Sequence, residues 1–134
     1  ICLQAGKPYS SLRTGIVKQR PFRIVKIGLN LPRQELFDRI NRRVEKMVEE
    51  GLVEEARRVY PLRHLNSLNT VGYKEMFAYF DGTMDFPTAV ARLQKNTRVY
   101  AKKQLTWYAK DAGMHWFAPT DYDAVRRLVT NPAL

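Results

Sequence analysis

PTAVARLQKNTRVYAKKQLTWYAK, residues 87–110, is the stretch that decides the fold, because it is the longest helical segment in the sequence and contains no acidic residue. At 1.5 Å per residue it would form a helix of roughly 35 Å. On a helical wheel its apolar and cationic side chains separate onto two arcs. The apolar arc holds Val90, Leu93, Thr97, Tyr100, Ala101, Leu105, Trp107 and Tyr108. The cationic arc holds Arg92, Lys95, Arg98, Lys102, Lys103 and Lys110.

The cationic arc has two interpretations. Because it carries no compensating Asp or Glu, it can follow a phosphate backbone, and binding would then weaken with salt as counterions are released. It can also be an ordinary solvated face. We interpret Tyr100, Trp107 and Tyr108 as core side chains rather than as platforms for stacked bases, because they lie on the apolar arc. Thr106 projects among the cations, where it could donate to a phosphate or a base.

Upstream of this helix the sequence predicts three shorter ones. Apolar residues recur at helical spacing over residues 32–48 and cover about 120° of that helix. Gly51 interrupts the pattern, and a second helix over residues 52–60 is stopped by Pro61. A third begins near Gly72 and is closed by Asp81-Gly82. We expect these three helices to pack into one compact unit.

The sequence contains one clear strand. Residues 22–29, FRIVKIGL, are rich in β-branched and apolar types and lie between Pro21 and Asn30, so a strand is predicted. Residues 114–117, MHWF, are a candidate for a second, short strand. Because a lone strand has no partner, we expect strand 22–29 to complete a sheet whose remainder lies outside this chain.

Residues 1–21 are predicted to form a segment of their own, before a main body of residues 22–134. Residues 1–6, ICLQAG, have the pattern of a last helical turn closed by a glycine. Residues 7–21 predict a loop or linker with one short helical turn. Since position 1 is Ile and the first helix lacks its beginning, we expect the chain to be a fragment.

The composition fits one ordinary domain of 134 residues, of which 45% are hydrophobic. Lys and Arg number 23 against 13 Asp and Glu, and the net charge of +10 favours a polyanion such as nucleic acid, although it also serves solubility. A single cysteine, Cys2, excludes an internal disulfide. No stretch approaches the roughly 20 apolar residues of a membrane span or has a signal-peptide layout. We therefore expect a cytoplasmic protein without a membrane partner.

Two further places are suited to an anion. The segment Asn69-Thr70-Val71-Gly72-Tyr73-Lys74 leads into a helix, where backbone N–H groups are unpaired. The alternative is an ordinary helix start that needs Gly72 for its backbone conformation. Arg43 lies at the margin of the apolar arc of helix 32–48, where we expect it to be partly desolvated. Its guanidinium would bind a diphosphate or carboxylate through two N–H groups, or form a structural salt bridge.

No catalytic residue and no metal ligand is predicted within the chain. Cys2, His64 and His115 are too few and too scattered for a metal cluster. No serine or cysteine has a recognisable base beside it in sequence. Any chemistry would therefore need residues from elsewhere.

Three groups of residues carry a family resemblance. They are LNTVGYKEM at 68–76, NTR at 96–98 with AKKQLTW at 101–107, and HWF at 115–117. Together they resemble the C-terminal part of the tRNA dimethylallyltransferases, and the match covers nearly the whole chain. The V-G-Y and K-x-Q-x-T-W strings are specific in combination, whereas either alone would be weak.

The resemblance implies a transferase that moves a dimethylallyl group from dimethylallyl diphosphate to N6 of the adenosine 3′ of the anticodon in tRNA. It implies a phosphate-loop α/β enzyme with an inserted helical tRNA-binding domain. Segment 1–21 would leave that inserted domain, and residues 22–134 would be the C-terminal part of the core, mainly α with one or two short strands. The phosphate loop, an aspartate base and Mg²⁺ would lie upstream of Ile1. The fragment alone would then bind no cofactor and be inactive, and the complete enzyme would be a monomer.

The resemblance also implies roles for individual residues. Arg43 falls where the family has a diphosphate-binding arginine. The family more often has Arg at Val99, Lys103 and Ala109, so we expect one or more phosphate contacts to be weaker or made differently. The residues matching tRNA-contacting positions, which would grip the anticodon stem-loop, are Asn69, Thr70, Val71, Gly72, Tyr73, Lys74, Arg98, Lys102, Lys103, Gln104, Leu105, Thr106 and Trp107.

Two other readings of the sequence compete with this one. A non-catalytic basic helical nucleic-acid-binding module would show specific binding by the isolated chain. A helical protein-interaction domain with a solvated charged face would bind no nucleic acid at modest salt. The partnerless strand and the incomplete first helix argue against both, because an independent module should be complete.

Overall fold

The computed structural model describes residues 2–13, 15 and 19–131. The described elements, in chain order, are α1 (Cys2–Ala5), α2 (Tyr9–Leu12), β1 (Lys26–Leu29), α3 (Arg33–Glu49), α4 (Leu52–Val59), α5 (Tyr73–Phe80), α6 (Phe86–Tyr108), β2 (Met114–Phe117) and α7 (Tyr122–Thr130). Short 3₁₀ turns at Tyr60–Leu62 and Asn66–Leu68 lie between α4 and α5. The predicted fold class, mainly α with two short strands, is confirmed.

The helix boundaries follow from local sequence. Gly51 has a φ of 105°, a conformation that residues with a Cβ rarely adopt, and it separates α3 from α4. Pro61 lies within the 3₁₀ turn after α4. Asp85 caps α6, because its Oδ1 accepts a hydrogen bond of 2.9 Å from the Thr88 backbone N–H. The predicted helices over 32–48, 52–60, 72–82 and 87–110 are confirmed to within a few residues, whereas α7 was not anticipated.

The sheet corrects two expectations. β1 pairs in parallel with β2, with Lys26 opposite Met114 and Leu29 opposite Phe117. The expectation that strand 22–29 lacks a partner within the chain was therefore wrong, because MHWF at 114–117 provides one. The predicted strand was also too long, because β1 begins only at Lys26. Its hydrogen-bonded pairing cannot extend beyond the four residues of β2.

The hydrophobic core lies between α3, α4, α5 and the first half of α6. Its buried residues are Val44, Leu52, Ala56, Met76, Phe77, Ala89 and Leu93. Helix α6 packs against both α3 and α5, yet of its side chains only Ala89 and Leu93 are buried. The compact packing expected of the three shorter helices is confirmed, and the second half of α6 extends beyond it.

An ion pair joins β1 to the loop after α6. Lys26 Nζ lies 2.6 Å from Asp111 Oδ2, and the Gly113 N–H donates to Asp111 Oδ1 at 2.9 Å. The hydrogen bond from Lys26, and then the one from Gly113, hold the pKa of Asp111 below its ordinary value of 3.8. A carboxyl group with a lowered pKa stabilises the fold above its unfolded-state pKa, and this contribution is lost as pH falls through the folded-state pKa.

Replacing Asp111 tests this linkage. We expect Asp111→Asn to lower the urea midpoint slightly at neutral pH, because an ion pair this exposed contributes little. The parent and the variant should converge as the pH falls below 3.8. Urea unfolding followed by circular dichroism at several pH values measures the difference. A gap between the two midpoints that stayed constant into strong acid would contradict the assignment.

No helix in the described part of the chain combines the length and apolarity needed to cross a membrane.

Candidate nucleic-acid interface

The second half of α6 carries an open depression of ≈ 480 Å³, named here the lysine groove. Its lining residues are Val99, Lys102, Lys103, Thr106, Trp107 and Lys110. Lys102, Lys103 and Lys110 are exposed, and none of them lies within ion-pair distance of an acid in the described ranges. Uncompensated lysines around an exposed indole are suited to a strand that carries both phosphates and bases.

The aromatic residues of this half correct a prediction. Trp107 is 71% exposed, Tyr100 58% and Tyr108 47%, so the interpretation of these rings as core was wrong. A helical wheel gives the direction of a side chain but not the point along the axis at which the neighbouring helices end. The fully buried core ends at Leu93. Beyond it the apolar arc is half-buried at Thr97, Ala101 and Leu105 and exposed at the three aromatic rings.

Two side chains of α6 that were expected to project from its cationic arc instead form hydrogen bonds within the protein. The Thr106 hydroxyl donates to the Lys102 carbonyl oxygen at 2.9 Å, so its proton points at the helix backbone. Arg98 is half-buried, and its Nη1 donates to Asn41 Oδ1 at 2.6 Å. Its guanidinium also lies 5.9 Å from the centre of the Phe37 ring. Placing Arg98 on a solvated cationic face was therefore wrong, because Arg98 braces α6 against α3, whereas its contact with tRNA stays a prediction.

The segment 69–74, named here the glycine loop, leads into α5. Gly72 has a φ of 110° and is buried, which confirms that the loop needs glycine for its conformation. The Gly72 N–H donates to Glu75 Oε2 at 2.7 Å, and the Lys74 N–H donates to the Thr70 carbonyl at 3.1 Å. These two backbone groups are therefore engaged within the protein rather than open to an anion.

The side chains of the glycine loop divide into two groups. The Tyr73 ring stacks on Phe77 at 5.9 Å, and its hydroxyl donates to Glu55 Oε1 at 2.5 Å. This hydrogen bond, more than burial, raises the pKa of Tyr73 above 10.0. Tyr73 thus anchors the loop to α4 and α5. The exposed members, which remain available to a partner, are Asn69, Thr70, Val71 and Lys74.

A second cavity, of ≈ 540 Å³, lies between the sheet, α3 and α6 and is named here the sheet cavity. Gln104 and Leu105, both predicted tRNA contacts, line it together with Arg39 from α3. The predicted contacts on α6 therefore face two different depressions, because Lys102, Lys103, Thr106 and Trp107 line the lysine groove. Arg39 was not singled out from the sequence.

Arg43 is exposed, so the expectation of partial desolvation was wrong. The buried residues of α3 are Ile40 and Val44. Arg43 directly precedes Val44, so its side chain points about 100° away from that of Val44 around the helix axis. The diphosphate-binding assignment of Arg43 stays a prediction.

No group of three His, Cys, Asp or Glu side chains in the described part is arranged to hold a metal ion.

Comparison with known proteins decides the family. Residues 1–111 match the sequence model of the family described as IPP transferase. The chain belongs to this family. It is 59% identical, over 93% of its length, to tRNA dimethylallyltransferase 2 of Parabacteroides distasonis, and it covers 42% of that protein. It is 60% identical, over 97% of its length, to tRNA dimethylallyltransferase 2 of Porphyromonas gingivalis, and it covers 44% of that protein.

Two solved structures resemble the IPP transferase fold of this chain. The tRNA isopentenylpyrophosphate transferase of Bacillus halodurans matches 81% of the chain with a TM-score of 0.73 and 43% identity, over 37% of that protein. The tRNA delta(2)-isopentenylpyrophosphate transferase of Staphylococcus epidermidis matches 96% with a TM-score of 0.76 and 27% identity, over 44% of that protein. The family resemblance of the sequence motifs is thereby confirmed, and the chain spans less than half the length of these relatives.

Proposed function

We propose that the chain is the C-terminal part of a tRNA dimethylallyltransferase, which transfers a dimethylallyl group from dimethylallyl diphosphate to N6 of the adenosine 3′ of the anticodon. Membership of the IPP transferase family and the names of its relatives support the reaction class. The observation that carries the assignment of this part is the lysine groove, because three uncompensated lysines surround an exposed tryptophan. The complete enzyme would act in the cytoplasm as a monomer.

In this proposal the chain grips the anticodon stem-loop. Lys102, Lys103 and Lys110 contact phosphates, and their contribution weakens as salt rises. Trp107 offers its ring to an unstacked base, an interaction that tolerates any base because all have a π-face. Asn69, Thr70 and Lys74, which are exposed in the glycine loop, add polar contacts. The target adenosine must leave its stack to react, which costs free energy of unstacking. Binding of the flanking phosphates offsets that free energy.

The chemical step needs groups that the described part does not supply. An amine that attacks an allylic carbon needs a base for its proton and stabilisation of the departing diphosphate. Arg43 is the residue here that we assign to the diphosphate. Following the family resemblance, we place Mg²⁺, the phosphate loop and the aspartate base in the part of the enzyme upstream of this chain. Mg²⁺ would there neutralise charge that develops on the leaving group.

Prenyl transfer to an anticodon stem-loop tests the proposal. The 134-residue chain is compared with the same chain preceded by the remaining sequence of the Parabacteroides distasonis relative, of which it covers 42%. We expect only the longer protein to transfer the prenyl group. Transfer should stop when guanosine replaces the adenosine 3′ of the anticodon, because guanosine has an oxygen instead of an amine at carbon 6. If the longer protein folds and binds RNA but transfers nothing, the chain is a binding module instead.

A further inference from the structure

Glu75 is an unusual residue for the start of a helix, because it is buried. Only 4% of its surface is exposed, and among residues 2–13, 15 and 19–131 it is the one buried side chain that carries a charge. Each of its oxygens accepts a short hydrogen bond. Oε2 accepts from the Gly72 N–H at 2.7 Å, and Oε1 accepts from Asn96 Nδ2 at 2.6 Å. One carboxylate therefore joins the glycine loop to α6.

Helix capping accounts for only half of this arrangement. In a capping box, the third residue of the helix accepts from the backbone N–H of the N-cap residue, as Glu75 does from Gly72. That interaction works at an exposed position and uses one oxygen. Here the second oxygen is directed into the protein at a residue 21 positions away in the chain. Burying a carboxylate is unfavourable unless its oxygens are paired, so Asn96 is required once Glu75 is buried.

Asn96 lies on the Trp107 side of the face of α6 that carries the lysine groove. At 100° per residue, Lys103 and Trp107 both lie within about 20° of the direction of Asn96, and Lys110 within about 40°. Lys103 follows Asn96 by about 10 Å along the helix axis. The Glu75–Asn96 hydrogen bond thus attaches the glycine loop to the Trp107 side of this face, on the helix that carries the groove and about two turns before Lys103 and Trp107.

We propose that Glu75 and Asn96 are positioning residues that hold the glycine loop at a fixed distance from the lysine groove, so that both contact one RNA at the same time. This inference rests on the proposed function, because it assumes that RNA is the shared partner. Neither residue touches the RNA. Their contribution comes from preorganisation, since a loop that is already ordered does not have to be ordered when RNA binds.

Asn96→Asp tests the link in the complete enzyme, because it places a second carboxyl group against Glu75. We expect the KM for the anticodon stem-loop to rise about tenfold, because the hydrogen bond to Glu75 is lost and the two carboxyl groups also repel each other. The kcat and the KM for dimethylallyl diphosphate should stay within about twofold. Amide hydrogen exchange should become faster in residues 69–74 and stay unchanged in α3.

The double variant Glu75→Gln/Asn96→Asp supplies the rescue. The new amide at position 75 can donate to the new carboxylate at position 96, while its oxygen still accepts from the Gly72 N–H. We expect this pair to recover most of the tRNA affinity lost in Asn96→Asp. If Glu75 and Asn96 only stabilised the fold, the Asn96→Asp enzyme would lose thermal stability and kcat in parallel. The double variant would then restore stability and kcat, not specifically the KM for tRNA.

Gln94→Ala is the matched control. Gln94 lies on the same helix, but its Nε2 donates to the Asn41 carbonyl on α3 at 3.4 Å and not to the glycine loop. We expect its KM for tRNA to stay within about twofold of the parent value. If Asn96→Asp fails to fold, Asn96→Ala is used instead, because it removes the hydrogen-bond donor without adding charge. We expect its KM for the anticodon stem-loop to rise about threefold.

The outcomes separate the two proposals. Failure of the parent enzyme to bind or modify tRNA refutes the proposed function and this inference with it. An active parent whose Asn96 variants keep the parent KM for tRNA, or whose loss the double variant does not repair, refutes the positioning role and leaves the proposed function intact.

Discussion

Lys102→Glu combined with Lys103→Glu is expected to weaken binding of the anticodon stem-loop by about a hundredfold at roughly 0.1 M salt, because each change removes an attraction to phosphate and adds a repulsion. Both lysines are exposed and line the lysine groove without an acidic partner in the part of the chain that the structure describes. Replacing them should therefore leave the core intact. The stability of the double variant should equal that of the parent protein.

The salt dependence of binding makes this test specific. We expect the slope of log K against log salt to become shallower by about 0.7 to 0.9 for each phosphate contact that is lost. The control is Arg126→Glu with Arg127→Glu, which changes the net charge equally at exposed positions of α7. A general loss of positive charge would affect both variants alike. Equal slopes in the parent and the Lys102/Lys103 variant would show that the groove does not bind phosphate.

The long basic helix shows how far sequence reasoning reaches. Its position, its length and the exposure of Lys102 and Lys103 were predicted, because the segment contains no acid and has a regular apolar pattern. The exposure of Trp107 was not predicted, since periodicity does not show where α3 and α5 stop supporting the helix. The aromatic side of the groove therefore became visible only in three dimensions.

The Glu75–Asn96 link marks a second limit. A glutamate three residues after Gly72 is a sequence signal for a helix start, and that part could have been found. Its burial and its bond to Asn96 depend on how α5 packs against α6, because the two residues are 21 positions apart. Arg98 illustrates the same point, since its bond to Asn41 spans 57 positions and removes it from the solvated arc.

Leu93→Ala is expected to lower the free energy of unfolding by about 2–5 kcal/mol, the range for removing a large buried side chain from a packed core. Leu93 is 2% exposed and belongs to the cluster that α6 shares with α3, α4 and α5. Leu105 lies on the same predicted apolar arc but is only half-buried beside the open sheet cavity. Leu105→Ala should therefore cost about 1 kcal/mol or less.

Equilibrium urea unfolding of both variants measures this difference. Equal losses would mean that the second half of α6 is as tightly packed as the first, contrary to the exposure of Trp107 and Tyr100. Substitutions in the two halves of α6 should also affect different properties, namely folding stability and RNA binding. A change at Leu93 lowers the fraction of folded protein but should leave the salt slope of RNA binding by the folded molecules unchanged. Stability would then reside in the first half of α6, and RNA binding in the second.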